Sequence, residues 1–209
     1  MQIPSSGLGR LSGVTQDWTA TPDLDGSLVR LTAVRAEHAP GLLAAADSDD
    51  VFSWMPVVRP ASLAEAEALV QRYVDWPGVH VWTQLDARTG EPVGVTSFYE
   101  VSADLQTVAI GHTWLASRAW RTGINTESKL LLLTHAFETL GAVRVVWHTD
   151  DRNQRSQAAI LRLGATHEGV LRKHRRRTDG SWRDTWTFSM LDTEWPDAKY
   201  ALQARLARA

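Results

Sequence analysis

The stretch from Ile110 to Leu140 constrains this chain more than any other. It opens as an apolar strand and passes through a polar loop carrying Arg118, Arg121, Thr122, Gly123 and Asn125. It then becomes a long Leu-rich helix that stops at Gly141, and a β-branched strand follows at Ala142–Thr149. A strand feeding a helix through a glycine-containing loop, with another strand directly after it, calls for a sheet with that helix packed across it. Downstream, Arg152–Leu163 reads as a helix closed by Gly164. Strands at Thr166–Thr178 and Ser181–Leu191 flank Asp179-Gly180, a hairpin pair, and a helix runs from Trp195 to Arg208.

Upstream, Leu28–Val34 alternates apolar and polar residues, and Glu37–Asp47 is an Ala/Leu-rich helix followed by a loop to Pro60. Ser62 with Glu65 three residues on is a capping box that opens a helix to about Trp76. Strands follow at 79–85, 93–101 and 107–115. The order predicts an α/β (α+β) fold: a loose leader over 1–26, a single domain over 27–195 around a mixed sheet, and a C-terminal helix over 196–209.

Composition removes several function classes. With 209 residues the chain can bury a core without staples. It has no cysteine, so disulfides, thiolate zinc sites, iron–sulfur clusters and a cysteine nucleophile are excluded, and no metal is expected. Lys+Arg 22 against Asp+Glu 24 gives a formal charge of −2, which disfavours nucleic acid and anionic membrane as partners. The one basic run is Arg172–Arg177, and strand alternation divides its charges between two faces. The longest aliphatic run, Leu130–Leu133, is far short of the ~20 residues of a membrane span. A soluble, cytoplasmic protein is expected.

The start of the helix after Gly123 is suited to an anion. Its first N–H groups have no intrahelical acceptor, and the helix dipole adds partial positive charge there. Gly123 would let the backbone approach a ligand, while Arg118 and Arg121 add cations. Neither G-x-x-x-x-G-K-[ST] nor a strand–helix G-x-G-x-x-G is present. Asn153 and Ser156 lie three apart at the next helix start, offering an amide and a hydroxyl on one face. Each has a plainer role beside this one: a turn glycine, solvated arginines, a helix cap.

These segments together resemble the GNAT acyltransferases, in particular the ribosomal-protein-alanine N-acetyltransferase branch and its small-amine relatives. The resemblance rests on Ile110-Gly111-His112-Thr113-Trp114-Leu115, Arg121-Thr122-Gly123-Ile124-Asn125-Thr126-Glu127-Ser128-Lys129-Leu130, and Thr149 through Ser156. Gly164-Ala165, Glu168 through Arg172 and Arg183-Asp184-Thr185 support it. It implies acetyl-CoA as the cofactor, an amine as the acceptor, and a homodimer. It implies that strand 110–115 splays from strand 143–149, with the pantetheine arm in the opening against Thr113, Trp114 and Leu115. The pyrophosphate would lie on Arg121, Thr122, Gly123, Ile124, Asn125 and Thr126, with Arg118 beside it. Asn153 would hold the pantetheine chain, and Ser156 would return a proton to the leaving thiolate. Two positions depart from the usual loop: Trp120 stands in the Gln/Arg place and Asn125 in the last Gly/Ala place. Ala109 stands where relatives often carry a glutamate.

The implied reaction is direct attack of an amine on the acetyl carbonyl in a ternary complex. His112 is the first candidate base, placed by alternation on one face with Ile110 and Trp114; Glu100 follows, with Asp150 behind it. Trp54, Phe98, Trp182 and Trp186 are candidate walls of the acceptor site, with core packing as their competing role. The alternatives are a non-catalytic acetyl-CoA sensor and an RNA-associated protein using the 172–177 run.

Overall fold

The computed structural model describes residues 16–177 and 179–208. Eight strands form one sheet: β1 (Leu24–Asp25), β2 (Val29–Ala33), β3 (Val79–Asp86), β4 (Pro92–Ser102), β5 (Thr107–Leu115), β6 (Arg144–Asp150), β7 (Thr166–Arg176) and β8 (Trp182–Leu191). Their spatial order is β1-β2-β3-β4-β5-β6-β8-β7, antiparallel throughout except for the parallel β5–β6 pair. That one parallel pair is forced by the helix between its strands, α4 (Ile124–Thr134), which must cross the sheet to return the chain in register.

Two cores cover the two faces. On one face, α4 and α6 (Trp195–Leu206) pack over Trp82, Phe98, Ile110, Val145 and Phe188. On the other, α1 (Ala39–Ala45), α2 (Asp49–Phe52) and α3 (Leu63–Val74) pack over Val81, Val95 and Trp114. Ser62 Oγ accepts from the Glu65 N–H at 3.3 Å and Glu65 returns to the Ala61 N–H at 2.8 Å, so the capping signal starts α3 as read.

Several segments depart from the sequence expectation. Residues 1–15 of the predicted leader lie outside the described residues; within 16–26, β1 pairs with β2 and the Trp82 indole donates to the Pro22 carbonyl at 2.8 Å. The segment expected as a loop over 47–60 contains α2, capped by Ser48. Beyond α4 the helix widens into a π turn over His135–Thr139, with the Leu140 N–H reaching the His135 carbonyl at 2.9 Å. The terminal helix is part of the main core through Trp195, Ala198 and Leu202.

The largest correction concerns β5. Ser97 pairs with Gly111 and Val95 with Trp114, so the single residue Thr96 faces both His112 and Thr113. This bulge breaks the alternation: Ile110 enters the α4-side core and Trp114 the α3-side core, on opposite faces. Left-handed backbone marks the irregularities, at Glu100 (φ 49°), His112 (φ 48°), Arg121 (φ 61°) and Lys173 (φ 49°).

Glu127, in the first turn of α4, is buried and accepts from the N–H groups of Ser27, Leu28 and Val29 at 2.9, 2.6 and 2.9 Å. The carboxylate thus fastens the entry of β2 to the helix. Gly123 has ordinary helical φ, and a Cβ there would meet the Leu28 side chain at 2.4 Å. Its small size therefore serves the packing of Leu28 rather than a close ligand approach.

Candidate active site

β5 and β6 pair only over Thr107–Ala109 and Arg144–Val146. Beyond Ala109 the strands separate, so the β5 backbone from Ile110 to Leu115 has no partner on that side. The loop before α4 and the start of α5 (Gln154–Leu161) lie together at this end: the Trp120 indole donates to the Leu115 carbonyl at 2.9 Å, and the Arg155 guanidinium stands 4.1 Å from the Trp120 ring centre. Trp120, at the departure from the usual loop, is therefore a strut between β5 and α5.

At the start of α4, the Ile124 N–H turns to Thr122 Oγ1 at 3.3 Å. The Asn125 and Thr126 N–H groups have no acceptor among the described residues. Arg121 is exposed, at a left-handed corner of this loop. Arg118 turns away and lies 3.4 and 3.3 Å from the Ala44 and Pro92 carbonyls. Asn153 caps α5, its Oδ1 accepting the Ser156 N–H at 3.0 Å; its amide NH2 and the Ser156 hydroxyl make no hydrogen bond among the described residues. Unpaired strand backbone and a bare helix start thus lie at the β5–β6 opening, with Asn153 and Ser156 at the start of α5 beside them. That donor set fits a long, amide-bearing, phosphate-terminated group.

The other side of the opening holds a titratable cluster. Gly111 lies beneath Tyr99, where a Cβ would approach Cε1 to 2.7 Å. The Tyr99 hydroxyl is 3.1 Å from His148 Nδ1, and Glu100 Oε2 is 3.8 Å from that same nitrogen. Arg175 reaches Glu100 at 3.4 Å, and the His174 and His148 rings are 6.1 Å apart. His112 sits between the Trp76 and Tyr99 rings at 4.6 and 4.8 Å, with Nδ1 2.9 Å from Ser97 Oγ. Burial pushes His112 down to about 4, and the charges of Arg175 and Arg183 add to the effect. His112 is therefore neutral at pH 7 and a weak base, contrary to its first place among the candidates. Asp150 is also unsuited. Burial opposes its ionisation, but Arg177 outweighs it with contacts of 2.7 and 2.9 Å and holds the carboxyl at about 2.

The expected aromatic walls do not come together. Phe98 is 1% exposed and packs edge-on to Trp82 in the α4-side core. Trp186 stacks on His167 at 4.2 Å on that same side of the sheet. Trp182 lies under Arg176 at 4.3 Å near the hairpin tip, and Trp54 is exposed after α2. The basic run is divided among partners: Arg175 on Glu100, Arg176 on Trp182, and Arg177 on Asp150 and Asp151.

Sequence reasoning passed over Trp76, Tyr99, His148, His174, Arg183 and Lys129. For His148 a signal existed, since alternation along β6 puts it on the face of Asp150. For Lys129 there was another: it shares a helical stripe with Leu132, Leu133 and Ala136. Lys129 is buried on the α4 side, with Nζ donating to Thr96 Oγ1 at 2.8 Å and to Thr113 Oγ1 at 2.6 Å. Burial pushes it down to about 7. It thus supports the bulge from beneath, opposite His112.

Among the described residues no group of three or more His, Asp or Glu is placed to hold a metal ion, and no helix is long and apolar enough to cross a membrane.

The same fold occurs in known proteins. The profile described as the acetyltransferase (GNAT) domain matches residues 29–166. The chain is 24% identical over 176 residues to YoaA of Bacillus subtilis (strain 168), an uncharacterised N-acetyltransferase, covering 81% of this chain and 97% of YoaA. A crystal structure from T. thermophilus assigned as an acetyltransferase is 36% identical with TM-score 0.82, covering 90% of this chain and 98% of that one. A GCN5-related N-acetyltransferase from Brucella melitensis is 28% identical with TM-score 0.87, covering 93% and 90%. The β5–β6 opening, the bare start of α4 and the matched profile agree: this chain belongs to the GNAT family of acetyltransferases, enzymes that use acetyl-CoA.

Proposed function

We propose that this protein transfers the acetyl group of acetyl-CoA to a primary amine by direct attack. The observation that carries this reading is the unpaired β5 backbone from Ile110 to Leu115, joined through the Trp120 loop to a helix start whose Asn125 and Thr126 N–H groups are free among the described residues. Bound acetyl-CoA supplies an activated acetyl thioester. The first turn of α4, with Arg121, receives the phosphates. The unpaired amides of β5 between Thr113 and Leu115 receive the arm and donate to the acetyl oxygen as charge develops there. The Asn153 amide holds the arm from the α5 side.

The amine enters from the Tyr99 and His148 side. Glu100 takes its proton, directly or through His148, because Asp150 is committed to Arg177 and His112 is too weak a base. The N–C bond would form as the C–S bond breaks, and the Ser156 hydroxyl would relay a proton from solvent to the sulfur, taking one up as it gives one, while Glu100 returns the amine's proton to solvent. An α-amine with pKa near ~8 needs little assistance at pH 7, whereas a lysine amine near ~10.4 needs more. Protein N-termini, as in the ribosomal-protein branch, and small α-amines therefore suit this site better than lysine side chains.

The test is calorimetric titration with acetyl-CoA together with thiol release over a panel of amines. Saturable binding, weakened by Arg121→Ala, with amine-dependent thiol release is expected. Absence of binding at millimolar acetyl-CoA overturns the reading. Binding without release over the whole panel leaves a sensor in place of an enzyme.

A further inference from the structure

Resting on the acetyl-transfer reading, we propose that Arg183, with Thr187 on the same strand face, forms a subsite for a carboxylate carried by the amine acceptor, which makes the acceptor class a small amino acid rather than a simple amine or polyamine.

Arg183, Thr185 and Thr187 alternate along β8 and therefore share a face. Register fixes which face: His148 pairs with Thr187 and Asp150 with Thr185, while Arg175 of β7 pairs with Arg183. This is the face of Tyr99 and His148, on the acceptor side of the opening. Seven buried side-chain polar atoms lack a hydrogen-bond partner among the described residues, and three of them are Arg183 Nε, Thr185 Oγ1 and Thr187 Oγ1. Buried polar atoms are nearly always paired, so the unpaired Arg183 Nε and Thr187 Oγ1 on one face point to a bound group, while Thr185, 0% exposed, is closed to one.

That group is an anion. Arg183 is only 20% exposed, and its nearest carboxylate, Asp150, is 4.0 Å away, too far for a hydrogen bond. Asp150 is already taken by Arg177, and Glu100 faces Arg175. A planar guanidinium can serve a carboxylate through paired N–H donors, and the Thr187 hydroxyl lies on the same face. The charges of Arg175 and Arg183 reach His112, His148 and His174 and disfavour positive charge on each, Glu100 offsetting this at His148 and His174; a polyamine would leave Arg183 without a counter-charge. An amino acid brings its own counter-charge to Arg183 while its amine lies toward Glu100.

The test uses pairs matched except for the carboxylate: phenylalanine with phenethylamine, and leucine with isoamylamine. Their N-acetyl forms are titrated into the CoA-loaded protein, and the free amines are followed by thiol release. Binding at least tenfold tighter for each carboxylated member is expected. In Arg183→Gln that preference falls below threefold; Arg183→Lys restores part of it, and Thr187→Val lowers it partially. Equal or absent binding across the pairs overturns the subsite, as does a preference that survives Arg183→Gln. Carboxylate-dependent binding with no thiol release overturns acetyl transfer and leaves the subsite standing. Release from both members without preference does the reverse.

Discussion

Phe98 and Tyr99 are neighbours in one strand, yet they occupy two different kinds of protein interior. Phe98 enters the α4-side core, against Trp82 and beneath apolar residues of five strands. Tyr99 faces the other way, and its surroundings are His112, His148, Glu100 and the arginines of β7 and β8. Burial raises the Tyr99 hydroxyl well above its usual range, so it stays protonated and can donate within the cluster. Phe98 is surrounded mainly by apolar side chains, with His135 stacked on it, whereas Tyr99 sits among titratable groups that are kept buried and only partly satisfied. The lesson is that function here comes from the face of a strand, set by register, more than from any residue type.

Four perturbations sharpen or break this contrast. The largest effect falls on the apolar side: Phe98→Ala should cost ~3–5 kcal/mol in urea unfolding, the range for a buried phenylalanine. Tyr99→Phe, one residue away, should cost only ~1 kcal/mol, the worth of a hydroxyl hydrogen bond. Equal costs would show that the two faces do not differ as described. Next, Glu100→Gln should lower kcat/KM about 100-fold, the lower end of general-base contributions. His112→Gln should leave the acid limb of the pH–rate profile in place, because His112 titrates at about 4. Movement of that limb in His112→Gln would return the base role to His112.

The third perturbation tests Lys129, the buried lysine on the α4 side. Lys129→Met should raise stability at pH 7 by ~1–3 kcal/mol, since it removes a buried charge with no acid partner. The folded pKa of about 7 lies below the usual 10.5, so the cost of burying the ammonium is fully present below pH 7. It shrinks as pH rises from 7 toward 10.5, and wild type should approach the variant over that window. A constant difference across it would mean that Lys129 is not desolvated. The smallest effect is on the phosphate side: Arg121→Ala should raise the KM for acetyl-CoA three- to tenfold, about 0.7–1.4 kcal/mol, with kcat nearly unchanged.

Most elements of this architecture were legible because their signals are local. The Ser62 capping box, the Gly141 stop and the Asp179-Gly180 hairpin each act within a few residues. The start of α4 was legible for the same reason, although Gly123 owes its size to Leu28. What alternation could not give was the face of a residue beyond a bulge. Thr96 opposite both His112 and Thr113 inverts everything after it, so Trp114 was assigned to the wrong side relative to Ile110. Phe98 and Trp186 were misplaced as walls because their faces depend on pairings with distant strands. Arg183 and His148 share a surface only through the β6–β8 register, whose partners are some 40 residues apart in sequence.

The left-handed residues carry a consequence for how this protein can change. Glu100, His112 and Lys173 each hold a conformation that glycine reaches without strain, and each lies at a strand irregularity beside the acceptor cluster. For an ordinary residue that conformation costs roughly 1–2 kcal/mol. Glycine at Glu100 would relax the backbone while deleting the carboxylate that takes the amine's proton, and at exposed Lys173 it would loosen the strand beside it, whereas at His112 it would also remove the ring packed between Trp76 and Tyr99. Random mutagenesis selected only for heat resistance should therefore drift toward glycine at the catalytic rim, and its most robust clones should be among its least active.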